Sequence, residues 1–431
     1  MTAAAPSQPS IKPILAINFV GTLGFSIVLP FLVFLVTRLG GNALIYGIMG
    51  ATYSFFQLVG APVLGRWSDR WGRKPVLLLS QAGTLASWGI FLVALALPVT
   101  TVAEVEGGPL GAFTLTVPLI VLFFARALDG LTGGNVSVAN AYLADITADG
   151  ERSANFGKMA VSANLGFIVG PALAGMLGAT AMGESLPVAA AFAISAAATL
   201  LIAFTLESRR CEPLSQPASG VSVRKLLGQE QRDCVRPAGP HLSVGQILRL
   251  PGVSRLLGLH FLVFLAFNFF YVAFPVHAAT ALGWTLAQTG IFFSIMSILM
   301  ALVQGPVLTF ASRRAGDQAL VALGSVILAA GFAAFLSPST AVIYAGTSAI
   351  ALGNGLMWPS LLGALSKASP RDTQGAVQGF AGSVGAVASI IGLVVGGLLY
   401  GRLGSGVFLF ATVNSLIVFA GSLALRRPQP S

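Results

Sequence analysis

Charge is what this sequence has least of. Asp, Glu, Lys and Arg together make up 9% of its 431 residues. A soluble domain carries roughly a quarter charged residues, so an ordinary water-facing surface is excluded and the solvent around most of the chain is lipid. A nucleotide-binding loop of the form Gly-x-x-x-x-Gly-Lys-Ser/Thr is also lacking, which excludes ATP-driven work within the chain. Cysteine is limited to Cys211 and Cys234. They make no Cys-x-x-Cys motif and share one polar segment, so they read as free thiols in a reducing compartment. No residue cluster has metal-ligand or nucleophile–base spacing; no cofactor and no enzymatic reaction are expected. The formal charge is +10, yet the basic residues sit in short gaps between apolar runs. They build no basic face, and nucleic acid is not expected as a partner.

What is abundant is apolar: 55% of the residues are hydrophobic. A spanning helix needs about 20 mostly apolar residues. Runs of that kind cover 14–37, 45–65, 75–98, 115–144, 158–180, 186–206, 253–278, 285–310, 318–336, 340–366, 375–400 and 405–425. The predicted fold class is an all-α membrane protein of twelve transmembrane helices in a lipid bilayer. Lys12 precedes the first run without a small-residue cleavage pattern, so 14–37 reads as a retained helix rather than a signal peptide. Twelve spans put both ends of the chain on one side. That side holds 21 of the 24 Lys and Arg residues, the other holds Arg38 and Arg402, and Arg126 lies within a span. Excess Lys and Arg marks the cytoplasmic side, which predicts cytoplasmic termini in a multi-pass plasma (inner) membrane protein.

One long polar stretch, 207–249, divides the spans six and six. Its Ser, Pro, Gln, Arg and Glu content suits a flexible linker. The predicted organisation is an N-terminal half over 1–206, a cytoplasmic linker over 207–249 and a C-terminal half over 250–431. The halves are related: Ala61–Gly72 reads APVLGRWSDRWG and Gly305–Gly316 reads GPVLTFASRRAG, with six of twelve positions matching at the same place in each half. Such repeats are typical of secondary transporters, whose substrate site lies between the repeats near the bilayer midplane.

The most distinctive motif is Gly65-Arg-Trp-Ser-Asp-Arg-Trp-Gly-Arg-Lys74, followed by Pro75. Gly65 and Gly72 are expected to let a very short loop turn between two spans. Arg70, Arg73 and Lys74 hold it on the cytoplasmic side, and Pro75 suits the first turn of the next helix. Asp69 is the only acid among four bases and needs a partner. This segment resembles the signature cytoplasmic loop of the major facilitator superfamily, and the likeness extends through the twelve spans, the two halves and the degenerate second copy. It implies two pseudo-symmetric six-helix bundles and a conformational latch. In that latch Asp69, Arg70 and Arg73 act with Asp145 and with the positive N-terminal end of the helix that starts near Gln374. The second copy has Arg313 where the first has Asp69, so an equivalent latch is not expected there.

An Arg inside a span is costly and normally faces a cavity or a partner. Asp129 lies three residues beyond Arg126, on a neighbouring part of the same helical face. The sequence Arg126-Ala-Leu-Asp-Gly130, with Gly133 and Gly134 after it, resembles the superfamily's fourth-helix motif. That resemblance implies proton coupling, with Asp129 gaining and losing a proton beside Arg126; the bland alternative is an ion pair that orients the helix. Gly166, Gly170 and Gly175 are positions for close helix contact, and Pro171 bends the helix. Gly170-Pro171 in the fifth helix resembles the pattern of exporters that exchange solute for protons. Pro30, near the outer end of the first helix, resembles drug exporters. The first half as a whole looks most like the tetracycline/proton antiporter branch, with one departure. That branch places an acid about nine residues before the Pro, where this chain has Gly21.

The second half has no intramembrane acid; His260 and His277 are its titratable groups. Candidate pocket residues are Tyr53, Gln57, Asn140, Asn268, Tyr271, Gln304, Asn354, Trp358 and Gln378, whose rings and amides suit an amphipathic ligand. The expected function is proton-coupled export of a small hydrophobic or amphipathic compound by alternating access, in a monomer whose partners are that solute and protons. Uptake or facilitated transport of a sugar or organic anion, with Arg126 holding a carboxylate, is the rival within transport. A non-transporting membrane sensor is the rival of another class.

Overall fold

A computed structural model describes residues 10–108, 110–133, 135–147, 151–206, 243–369 and 373–424. Most of the expected linker, including Cys211 and Cys234, lies outside the described residues. Ten helical runs among those described are long and apolar enough to cross a membrane. One of them, Ala376–Leu423, has 48 residues, about 72 Å at 1.5 Å per residue, more than twice a hydrocarbon core. A turn at Gly404–Gly406, with Gly404 at φ 54°, divides it into two spans. The remaining span is a helix interrupted near its middle. The described helices thus account for twelve spans in two sets of six.

The first span is α1 (Lys12–Ser26) and α2 (Val28–Arg38). They part at Ile27, where Pro30 removes the amide that would bond to the Ser26 carbonyl. Next come α3 (Ala43–Trp71), α4 (Arg73–Ala96), the interrupted pair α5 (Val117–Thr132) and α6 (Asn135–Ile146), α7 (Arg152–Gly178) and α8 (Ser185–Thr205). A short helix, α9 (Val244–Arg249), opens with a Ser243/Gln246 capping box that satisfies its first amides. The second half is α10 (Val253–Thr280), α11 (Leu286–Leu302), a π-helical turn (Val303–Val307) with α12 (Leu308–Ser312), then α13 (Asp317–Ala334), α14 (Thr340–Lys367), α15 (Gln374–Leu403) and α16 (Val407–Leu423).

The fold is helical as expected, with one short addition: β1 (Thr101–Val105) and β2 (Phe113–Thr116) form an antiparallel hairpin between α4 and α5. It is held where it meets the first turn of the chain. Thr114 N–H donates to the Gly40 carbonyl at 2.8 Å, Thr116 Oγ1 to the Leu39 carbonyl at 2.9 Å, and Asn42 Nδ2 to the Leu110 and Ala112 carbonyls. Gly65, expected in a loop, lies inside α3, which continues to Trp71. Gly72 alone makes the turn, at φ 92° and ψ 159°, a conformation that residues with a Cβ avoid.

The halves meet at the end remote from the termini. There α3 packs along α15 and α7 along α11, and glycine permits both approaches. A methyl on Gly47 would strike the Leu393 backbone, and one on Gly290 would strike the Pro171 carbonyl and Gly175. Val272, Val276 and Leu286 of the second half join the buried cluster built on α2, α3 and α5, so the seam is apolar and closed. Toward the termini the halves separate. α2 packs on α10 and α11 of the other half, whereas α1 packs on α7 and α8 of its own. Gly65, Gly305, Gly379 and Gly382 have open space where a Cβ would project.

Candidate functional site

Arg126 and Asp129 are buried, 5% and 7% exposed, in α5 of the first half. The i, i+3 spacing brings Arg126 Nη1 to 3.1 Å from Asp129 Oδ2, and the guanidinium lies 4.5 Å from the centre of the Tyr53 ring. Aromatic faces attract cations, more so away from water, so Tyr53 helps carry a charge that lipid does not solvate. Arg126 Nε is buried without a hydrogen-bond partner, which leaves one donor of the pair unused.

The helix ends one turn beyond Asp129. Gly130 lets α5 approach α3 so closely that a methyl there would meet the Tyr53 backbone. The carbonyls released at the interruption are taken up by neighbours: Ser80 Oγ donates to Thr132 O, and Gln57 Nε2 donates to Gly133 O at 3.2 Å and to the Tyr53 hydroxyl at 3.1 Å. A broken span is tolerated when its backbone groups are satisfied in this way. Sequence reading treated 115–144 as one run; the paired glycines at 133 and 134 were the available signal of a break.

Beside this pair lies a cavity of about 280 Å³. Of the expected pocket residues it contains Tyr53 and Gln57, together with Asp129. The others lie apart from it. Asn268 Nδ2 donates to the Phe264 carbonyl at 2.7 Å and to Ser389 Oγ at 3.0 Å. Tyr271 stacks on Phe293, the Trp358 ring lies tilted against His260 with ring centres 5.1 Å apart, and Asn354 Nδ2 approaches Met300 Sδ at 3.9 Å. Gln304 sits in the π-helical turn, and Asn140 and Gln378 are half-buried. Gln81, Thr84, Trp88 and Ser195, which also line the cavity, were missed. Gln81, an amide in the middle of an apolar run, was the signal that sequence offered.

At the terminal end of the same half, Arg73 collects several partners. Its Nη1 donates to Asp69 Oδ1 at 2.5 Å and to Ser68 Oγ at 2.7 Å, and its Nε donates to Asp145 Oδ2 at 2.8 Å. Asp69, Arg73 and Asp145 therefore form one cluster joining α3, α4 and α6. Arg70, also expected there, has an interaction of its own. The fifth-helix glycines divide their work. Gly166 and Gly170 pack against α1, where a Cβ would meet Thr22 and Ser26, and Ser26 Oγ donates to Gly166 O at 2.9 Å. Gly175 instead faces α11 across the seam. Pro171 is buried and α7 runs through it unbroken, and Pro30 is buried at the joint of the first span.

Comparison with known proteins agrees with this geometry. Residues 14–392, and again 256–431, match the family model described as Major Facilitator Superfamily. The class E tetracycline resistance protein of Escherichia coli is 27% identical over 393 residues, covering 90% of this chain and 86% of that protein. Multidrug resistance protein 1 of Bacillus subtilis is 25% identical over 416 residues, covering 95% and 94%. The crystal structure of the human organic anion transporter MFSD10 superposes with a TM-score of 0.64 at 21% identity, covering 97% of this chain and 100% of that one. At that identity the last likeness is one of fold.

Proposed function

The chain belongs to the Major Facilitator Superfamily, as a multi-pass membrane transporter and not an enzyme, and from that premise we propose that it exports a small hydrophobic or amphipathic compound in exchange for protons. The observation that carries this reading is the Arg126–Asp129 pair, buried within a span and bordering a cavity. Asp129 binds a proton when the site faces the proton-rich side and releases it when the site faces the cytoplasm. Arg126 makes release favourable by attracting the carboxylate, and the cavity gives solute and proton a shared location. The tetracycline and multidrug resistance relatives support a drug-like solute.

The Lys and Arg bias puts both termini in the cytoplasm, so a cleft open toward the termini and sealed at the far end is the inward-facing form. Rocking about the glycine-lined seam exposes the site to the other side, with Asp69, Arg73 and Asp145 as the latch that closes the terminal end. A single chain contains the whole device and works as a monomer in the plasma (inner) membrane. Each proton that enters supplies about 2.3 kcal/mol per 100 mV.

One atom favours a second reading. The unused Arg126 Nε, buried and outside the cavity lining in this structure, becomes a donor for a substrate carboxylate when the site opens, as an organic anion carrier would need. The deciding measurement is uptake of tetracycline, or of an aromatic carboxylate, into inverted vesicles with an imposed pH gradient. Export by exchange requires tetracycline uptake that an uncoupler abolishes. Uncoupler-insensitive carboxylate uptake alone selects the second reading.

A further inference from the structure

We propose that Tyr53 sets the proton affinity of Asp129 by taking over the Arg126 charge each time Asp129 is protonated; this rests on the proton-exchange reading above. Removing one charge of a buried ion pair leaves the other uncompensated, which is strongly unfavourable. A proton on Asp129 does that to Arg126, which is 5% exposed and lies within a span. Without a second partner, Arg126 would hold Asp129 ionised at any pH a cell meets, and the site would not cycle. Arg126 Nη1 donates to Asp129 Oδ2 at 3.1 Å, and Nε has no partner. The Tyr53 ring, its centre 4.5 Å from the guanidinium carbon, is the group placed to accept the charge.

The ring is fixed in that place from three sides. α3 is pinned against α5 where a methyl on Gly130 would strike the Tyr53 carbonyl. Gln57, one turn along α3, donates to the Tyr53 hydroxyl at 3.1 Å and to the Gly133 carbonyl at 3.2 Å, which ties the ring to the break in the span. Phe25 of α1 packs on the ring with centres 5.6 Å apart. The face of an aromatic ring is electron-rich. It attracts the guanidinium and repels the Asp129 carboxylate, so it favours the protonated acid beside a lone cation over the ion pair. Few other groups face this pair. Of the elements packed closely on α5, α3 adds Tyr46, within electrostatic reach of Arg126, and carries Arg66, Asp69 and Arg70 toward its terminal end. α4 presents Thr84, hydrogen-bonded to Asp129, and has Arg73 and Lys74 in its first turn. β2 has no titratable side chain, and the cavity lining contributed by α1, α6, α7 and α8 has none either. Tyr53 is thus a positioning residue that acts on the proton through Arg126.

The test reads Asp129 without a solute. The full chain in lipid nanodiscs is titrated by infrared difference spectroscopy, and the carboxylic acid band that Asp129→Asn removes reports its protonation. Tyr53→Phe keeps the ring face and is expected to leave the midpoint within about 0.3 pH unit of the parent's. Placing mono-, di- and trifluorophenylalanine at position 53 keeps the shape and withdraws electron density from the face; the midpoint is expected to fall with each added fluorine. Tyr53→Leu removes the face and is expected to lower the midpoint by about half a unit to one unit, roughly a three- to tenfold loss of proton affinity. The sign follows from the cation: a poorer second partner for Arg126 makes protonation of Asp129 costlier, so more acid is needed. The fluorinated series changes charge distribution and not packing, so it decides the matter if the Leu variant misfolds. A midpoint that stays fixed across that series, while the band still titrates, overturns the proposal and leaves proton exchange standing. An Asp129 band that does not titrate in the parent removes the proton-exchange reading and this one with it.

Discussion

The two halves share a register yet carry opposite charge at the same point. The repeat aligns Gly72 with Gly316, so Arg73 corresponds to Asp317. In the first half Arg73, its side chain 18% exposed, bonds Asp145 at the end of the fourth span. In the second half Asp317 bonds Lys367 at the end of the tenth, 2.6 Å away, with the Lys side chain 71% exposed. A tie between the third and fourth spans of each half is thus kept while its polarity is reversed. The two ties differ in strength. Arg73 is partly shielded and shared among two carboxylates and a hydroxyl, where charge-assisted bonds are strong; the Lys367 pair is solvated, and such pairs contribute about 0–1 kcal/mol.

The interiors differ further. The first half holds an ion pair, an interrupted helix and a cavity. The second is filled by rings: the ring centre of Phe274 lies 4.1 Å from that of Phe292 and 5.1 Å from that of Phe335, and the centres of Phe335 and Phe408 lie 5.4 Å apart. A close-packed aromatic core resists deformation, whereas a cavity with a broken helix can change shape cheaply. The comparison teaches that one half holds buried charge and open space, while the other is stiff enough to serve as a lever.

The largest expected break of this comparison is Asp129→Asn. Proton-driven uptake into inverted vesicles is expected to fall by about 100-fold, while folding and substrate binding persist. Undiminished drug-induced proton release in this variant would remove Asp129 from the mechanism. Phe274→Ala should act on stability instead, by about 3–5 kcal/mol, seen as a lower melting temperature in detergent. A variant that melts normally but no longer transports would show that the aromatic half is more than a lever. Asp69→Asn is expected to slow turnover by about fivefold, or 1 kcal/mol, with little change in KM; a KM effect of equal size would mean that the cluster contacts substrate. Lys367→Met should alter turnover by less than about twofold. If it matched Asp69→Asn, the inverted tie would be a second latch and the asymmetry would vanish.

Legibility in the sequence followed the range of the interaction. Pro30 and Gly72 act on their own backbone, so a joint and a turn at those positions are local facts. Arg126 and Asp129 are three residues apart on one helix, and their pairing needs no other element. Gly65 misled because its motif reads as a loop, yet α3 simply continues through it. Asn268, Tyr271 and Trp358 misled for a different reason: a polar or aromatic residue in a span faces a cavity or a neighbour according to helix rotation, and rotation is set by packing. Gln81 and Ser195 are 114 residues apart, and no local pattern links them.

By itself the sequence determined the lipid environment, the spans, their division into related halves and the buried charge pair. Each follows from composition or from spacing within one helix, where the cost of placing a charge or a bare peptide group in hydrocarbon decides the outcome. Only the tertiary structure decided that α4 and α8 close a cavity onto Asp129, that the halves seal at one end and part at the other, and that Arg73 gathers Asp69 and Asp145 into one cluster. Those features depend on which faces of separate helices meet. That choice is made by steric fit, such as the near-contact at Gly47 and Leu393, and fit is a property of the assembled bundle.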